Sequence, residues 1–451
     1  MEDRSQLLNE MIPNRMYVAS LCKYSIPIVI VQLGINLMGT ADAIMAGRVS
    51  ATDLAAVALG HLYFMVVSSF GTGLLLALDT VISQAIGSGD NRGVSLGIQR
   101  GLLLVFPLSI VTGLLLFPAE GLFNLLRQPP EAIPLASGYA LASVAGVLPL
   151  YAFLVLRQSL QCIGSFLPIV RAVVIGNLTN VFFNWVLVFG HFGFAEMGAI
   201  GAGWATAIGR WVMVLYVLRS GWPTLKSHLS YLEVESFSKV AILNIWRIGC
   251  PIGIQVTLEY GIFAVMGLLA GLFGTVAMAS HQIAISLASL TFMIAVGIAQ
   301  ATTVLVAKAV GSRNRSVAGM SAGAGLLNVS VVMATTGIIF FFLPEFLAQM
   351  YTQDILVISL AATLIPIAGL FQIFDGLQAV AAGILRGIGD TLTPMAINLV
   401  GFWFIGLPVS VYLSFREGMG TVGLWIGMVV ALGIVCVFLI ARVNRRFLKD
   451  L

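Results

Sequence analysis

The chain has 451 residues, 59% of them hydrophobic and 9% charged, with a mean hydropathy of +1.01. Soluble domains carry about 25% charged residues, so most of this surface is built for lipid, and no polar stretch is long enough for a separate soluble domain. The net charge of +4 is dispersed rather than clustered, which excludes a nucleic-acid-binding surface.

The first sixteen residues mix Glu2, Asp3, Arg4, Glu10 and Arg15, with no small-residue cleavage site after a short apolar core. A removed signal peptide is therefore not expected. Predominantly apolar stretches long enough to cross about 30 Å of hydrocarbon follow to the end. They run over 17–44, 53–77, 95–117, 133–156, 168–190, 199–218, 241–271, 276–302, 317–343, 357–384, 395–414 and 420–441. This predicts an all-α integral membrane protein of twelve transmembrane helices. Residues 1–218 would form one six-helix lobe and 241–451 the other, joined by the polar segment 219–240. With the N-terminus inside, only Arg48, Arg127 and Arg416 of the 23 Lys and Arg fall outside, and Arg210 lies in a span. The other nineteen (23 − 4) are inside, so both termini are expected to be cytoplasmic. Cys22, Cys162, Cys250 and Cys436 stand alone, without metal spacing, and read as small packing residues.

The halves repeat. Ala85-Ile-Gly-Ser-Gly-Asp-Asn-Arg92 returns as Ala309-Val-Gly-Ser-Arg-Asn-Arg315, and Leu160-Gln-Cys-Ile-Gly-Ser-Phe-Leu-Pro168 as Leu385-Arg-Gly-Ile-Gly-Asp-Thr-Leu-Thr-Pro394. Met197-Gly-Ala-Ile-Gly-Ala-Gly-Trp204 returns as Met419-Gly-Thr-Val-Gly-Leu-Trp425. Six spans per half make the repeats parallel, related by a pseudo-two-fold axis along the membrane normal, as an alternating-access carrier requires. Pro27 and Pro251 are repeat-equivalent; each either kinks its helix or lets it gate a cavity.

Ionisable groups within spans are costly and are functional candidates. Three carboxylates qualify: Asp42, Glu259 and Asp375. Counting from Arg247 and Arg386, helix rise puts Glu259 and Asp375 about 16–18 Å deep, while Asp42 lies about 28 Å beyond Lys23. Asn180 and Asn184 share one helix face and, with Thr206, fall at a depth comparable to Asp42. One carboxylate, two amide oxygens and a hydroxyl would suit a hard cation such as Na⁺; alternatively, the amides and hydroxyl only tie helices together. None of the three carboxylates has an acidic repeat partner, which suggests separate tasks. Arg210 either pairs with a carboxylate or snorkels, and Asp79, beside Gln84, reads as interfacial.

Gly39-Thr-Ala-Asp-Ala-Ile-Met-Ala-Gly47 with Leu54-Ala-Ala-Val-Ala-Leu-Gly60 resembles the first-helix signature of multidrug and toxic compound extrusion (MATE) transporters. Gly249-Cys-Pro-Ile-Gly253 with Glu259, Ser280-His-Gln-Ile-Ala-Ile-Ser286, Ala368-Gly-Leu-Phe-Gln372 with Asp375, and Gly383-Ile-Leu-Arg-Gly387 extend the likeness over the whole chain. The resemblance implies two six-helix lobes and export of bulky, often cationic amphiphiles in exchange for Na⁺ or H⁺. The seventh-helix Glu and tenth-helix Asp resemble the NorM-type branch. By the same resemblance, the N-lobe cation site comprises Asp42, Asn180, Asn184 and Thr206, Asn184 replacing an Asp of some members. The C-lobe cation or substrate site comprises Glu259 and Asp375, with Gln282 and Gln300 beside them. The expected protein is a monomeric secondary transporter of the plasma (inner) membrane, in contact with membrane lipids and amphiphilic cations, with no cofactor besides its coupling ion. The competing reading is a lipid-linked saccharide flippase, which tends to need a basic cavity; an enzyme would need a catalytic constellation that the scattered histidines do not supply.

Overall fold

The computed structural model describes residues 13–449, and every regular element among them is helical. The first twelve residues, and with them the signal-peptide expectation, lie outside the described part. Eleven helices are each long and apolar enough to cross a membrane, and two more, Ile133–Val144 and Val147–Ile163, bent by 49°, make a twelfth span. In chain order the spans are α1 (Arg15–Val49), α2 (Ala51–Gly87), α3 (Asn91–Leu116), α4 (the bent pair), α5 (Leu167–Phe189) and α6 (Gly198–Leu229). They continue as α7 (Lys239–Gly271), α8 (Thr275–Gly311), α9 (Arg315–Phe342), α10 (Ile355–Ile388), α11 (Leu392–Arg416) and α12 (Gly420–Lys449). Phe106, Ile110 and Leu114 form a stripe on α3 at four-residue spacing, exposed by 60%, 63% and 64%. Water would penalise such a stripe and lipid does not.

The repeat is written into the backbone. Gly89 and Arg313, at equivalent positions, both have positive φ (75° and 55°). The next residue in each case closes a turn onto the same upstream carbonyl, Asp90 N to Ala85 O and Asn314 N to Ala309 O, both 2.9 Å. Its side chain then caps the following helix, at Gly93 N and Val317 N. Gly164 and Gly389 end α4 and α10 in the left-handed conformation, φ 94° and 92°. Gly198 and Gly420 open α6 and α12 with φ 51° and 57°. Every repeated motif marks a helix boundary that needs an unusual backbone.

The chain divides into two compact units, Ile30–Gly253 and Met1–Val29 with Ile254–Leu451. The division differs from lobes meeting across 219–240, because the start of α7 belongs with the first unit and the start of α1 with the second. The two changeover points are 224 residues apart (253 − 29), the offset of the repeat. Each falls two residues past a helical proline, Pro27 or Pro251. In the first unit α7 lies on α2 so closely that a Cβ on Gly73 would come 2.7 Å from Gly253 Cα. In the second unit the equivalent Gly297 of α8 meets Val29, with 3.0 Å to its Cα.

Between α6 and α7 the polar connection is shorter than expected, since α6 runs on to Leu229. Residues 230–238 are fastened to α3. Buried Gln99 donates to the carbonyls of His228 and Tyr231 and accepts from Glu233 N and Ser236 Oγ. Arg92 adds ion pairs to Glu233 (2.7 Å) and Glu235 (2.9 Å). A buried polar group left unpaired costs about 1–3 kcal/mol, and Gln99→Ala strands four. That variant should expose the connection, giving faster limited proteolysis within 230–238 in detergent.

After α10, Asp390 accepts from Arg442 (2.7 Å) and Arg446 (3.0 Å) of α12. Burial alone would raise this carboxyl, but hydrogen bonds from Thr393, Arg442 and Arg446 and the Arg442 charge outweigh it and hold it below its ordinary value. A depressed carboxyl stabilises the fold above its unfolded-state value of about 3.9 and stops doing so as pH falls through the lower folded value. Asp390→Asn should therefore lower the melting midpoint by about 1–2 °C at pH 7. The difference from the parent protein should close as pH falls below about 4.

Candidate functional site

In the first unit the four residues predicted for a cation pocket converge. Close packing makes this possible: Gly209 of α6 sits against the Gly176 carbonyl and Asn180 Cβ of α5, where a side chain would find 3.1–3.4 Å. Asp42 is fully buried. Its Oδ1 accepts from Asn180 Nδ2 (2.9 Å) and Asn184 Nδ2 (2.7 Å), and its Oδ2 accepts from Thr206 Oγ1 and from Tyr139 OH (3.3 Å). A carboxylate offers about four lone-pair positions, and all four are occupied by neutral donors from α4, α5 and α6. Asn180 Nδ2 also reaches Thr206 Oγ1 (2.8 Å), and Asn184 Nδ2 reaches Asn180 Oδ1 (3.1 Å). Asn184 Oδ1 is buried without a partner.

This arrangement stabilises the ionised carboxylate, and it has a chemical consequence. A proton needs one lone pair, which a turning Thr206 or Tyr139 hydroxyl can release. A metal cation needs several oxygens, so both amides would have to present Oδ1 instead of NH₂; Asn184 Oδ1 is already unengaged. The residues fit either ion, with more rearrangement for the metal. No group of three or more His, Cys, Asp or Glu suited to a metal occurs among the described residues. A transition-metal centre is thus not indicated there.

Sequence reasoning missed Tyr139, whose ring seats against Gly60 of α2 and whose backbone touches Gly203 of α6. It also misplaced Arg157. Counted among the inside-loop cations, Arg157 is instead inside α4, 3% exposed, donating to Gln32 Oε1 of α1 at 2.7 Å and acting on Asp79. Asp79 is likewise buried, 1% exposed, with Cys162 Sγ near its carboxylate. Arg210 makes no direct ion pair among the described residues: its Cζ lies 4.4 Å from the Phe64 ring centroid, with Asp42 within electrostatic reach.

In the second unit, Glu259 of α7 and Asp375 of α10 lie within electrostatic reach, and Arg386 also acts on Glu259. Asp375 is 3% exposed and its Oδ1 has no hydrogen-bond partner. Thr291 Oγ1 donates to Gln372, and Thr303 Oγ1 donates to the Gly383 carbonyl. These contacts run α8 and α10 in parallel and set Asp375 level with residue 294. At about 1.5 Å per residue, Gln300 is then about 9 Å further along and Gln282 about 18 Å back. This register keeps Gln282 away from Asp375, and the residue is exposed. Gln378, one turn after Asp375 with a buried, unpartnered Oε1, is the nearer amide.

Comparison with known proteins identifies the family and the fold. The family model MatE matches twice, over residues 27–186 and 251–412, one match per repeat. The multidrug resistance protein PmpM of Pseudomonas aeruginosa is 35% identical over 450 residues, covering 97% of this chain and 94% of its own. MdtK of Pectobacterium atrosepticum is 33% identical, covering 94% of each chain, and NorM of Photobacterium profundum is 32% identical, covering 95% and 96%. Among solved structures, the eukaryotic MATE transporter AtDTX14 superposes with a TM-score of 0.87 at 22% identity, covering 96% of this chain and 98% of that one. At that identity the likeness speaks for the fold.

Proposed function

Since the chain belongs to the MatE family, we propose that it exports amphiphilic, mainly cationic compounds in exchange for H⁺ or Na⁺ by alternating access. It is a multi-pass membrane transporter of the NorM-like kind, and its relatives are multidrug resistance proteins. The flippase reading falls away on these likenesses. Its expected requirement, a basic cavity, also contrasts with the acidic pair of the second unit.

One observation carries the coupling reading: the Asp42 carboxylate is buried among donors from three other helices. Loading a cation there must displace at least one donor, so occupancy changes how α1 is held against α4, α5 and α6. A cation that binds one conformation better shifts the population toward it. Glu259 and Asp375 put two carboxyls within electrostatic reach of each other in low dielectric, where a cationic cargo molecule would offset their repulsion. Gln300 and Gln378 would supply neutral contacts beside it. We place the protein in the inner membrane as a monomer, with both termini in the cytoplasm on the asymmetry of Lys and Arg. The test is efflux of a fluorescent cationic dye from proteoliposomes under H⁺ and Na⁺ gradients imposed separately. Efflux driven by neither would remove the exchange mechanism.

A further inference from the structure

Resting on Glu259 as a cargo-binding acid, we propose that Trp403 is its positioning residue, the second-unit form of an interhelical latch that the duplication carries twice. Trp403 Nε1 of α11 donates to the Leu258 carbonyl of α7 at 3.2 Å, and that carbonyl belongs to the peptide joining Leu258 to Glu259. The indole lies along α7 at Gly261, where a Cβ would come 3.2 Å from Trp403 Cζ2. In the first unit Asn177 Nδ2 of α5 donates to the Gly34 carbonyl of α1 at 2.8 Å. Gly34 and Leu258 are each seven residues past the proline inside their helix (34 − 27 and 258 − 251). Asn177 and Trp403 are each nine past the proline near the start of theirs (177 − 168 and 403 − 394). The same donor position meets the same carbonyl in both halves.

The bond persists although its chemistry has changed, which separates it from the chance packing of a tryptophan. α5 is α-helical from Leu167 to Phe189 and comes so near α1 that a Cβ on Gly34 would lie 2.3 Å from Val173 Cγ1. A short amide spans that gap. Leu258 carries a side chain where Gly34 has none, and its donor is a longer indole, borne on a π-helical stretch of α11, Leu399–Gly406. Such wide turns are rare and occur frequently at functional sites. A carbonyl oxygen has two lone pairs, so Leu258 can serve its own helix and Trp403 together. The peptide is planar, so holding its oxygen fixes the plane from which the Glu259 side chain departs. The latch also stands between the bend-prone Pro251 and Glu259, and keeps the acid in place when α7 flexes. In the first unit Asp42 is eight residues past Gly34 (42 − 34), so the latch there anchors a helix without touching an acid.

The experiment follows efflux by full-length variants in proteoliposomes, comparing ethidium, a monocation, with uncharged Nile red, and checks folding by size-exclusion elution. Trp403→Phe, which keeps a ring and loses the N–H, should raise the KM for ethidium about three- to tenfold. The maximal rate, the KM for Nile red and the dependence on pH and Na⁺ should stay parental. Trp403→Met, a second variant without a donor, should behave alike. In a Glu259→Gln background, Trp403→Phe should add less than about twofold, because a positioning residue loses its effect with the group it positions. A merely structural tryptophan would raise the KM for both dyes and keep its effect in that background. Either result in folded protein would overturn the inference. Glu259→Gln with the parental KM for ethidium would overturn the cargo reading, and the inference with it.

Discussion

Asp42→Asn uncouples the transporter. Replacing the anion by an amide removes hydrogen bonds to a charged acceptor, each worth about 1.5–3 kcal/mol. It also turns an NH₂ toward donors that have nothing to accept. Gradient-driven accumulation of dye outside the vesicle-equivalent cytoplasm should fall ten- to a hundredfold, since each 1.4 kcal/mol is a factor of ten. The remaining movement should be downhill and indifferent to pH and Na⁺. The measurement is efflux under an imposed ion gradient against efflux with none. A variant that folds, as judged by size-exclusion elution, and still responds to the gradient would show that the ion loads elsewhere. Asn184→Asp, which adds a second carboxylate against Asp42, should move the other way and tighten cation binding.

Removing either acid of the second unit should affect cargo rather than coupling. Glu259 and Asp375 act on each other, so deleting one leaves a single carboxylate to meet a cation. At an effective dielectric of about 20, an attraction across a few ångström is worth a few kcal/mol at most. The apparent KM for a monocationic dye should therefore rise about ten- to a hundredfold in Glu259→Gln and Asp375→Asn. Transport of an uncharged substrate should change little, and the ion dependence should persist. Competition assays with paired cationic and neutral dyes check this. Equal losses for both dyes would assign the acids to folding or coupling instead.

Much of this was legible from sequence because the constraints are one-dimensional. A bilayer demands apolar runs of a set length, and a duplication keeps its helix boundaries, so Gly164 and Gly389 or Gly198 and Gly420 mark the same turns twice. Helix rise alone brought Asn180, Asn184 and Thr206 level with Asp42, as the hydrogen bonds then showed. What failed needed lateral information. Tyr139 sits in an ordinary apolar span, and nothing in its neighbours tells which face it presents. Arg157 was read as a loop cation because charge asymmetry counts basic residues without asking whether Gln32 and Asp79 are waiting inside. Gln282 was assigned by likeness, and the register between α8 and α10 sets it about 18 Å back from Asp375. The signal that could have flagged Arg157 was its place between two uncharged runs, 132–156 and 158–170, beside Gln158 and Gln161.

Pro27 and Pro251 supply no amide, so the carbonyls one turn earlier, on Lys23 and Arg247, lose their helical partner. Those two donorless positions are themselves a repeat pair. Each long helix thus has one mechanically soft joint, inherited in duplicate, with stiff rod on either side. Asp42 lies fifteen residues past the first joint and Glu259 eight past the second. Flexing is therefore concentrated well away from both acids, which ride on unbroken helix and keep their local geometry while the axis swings.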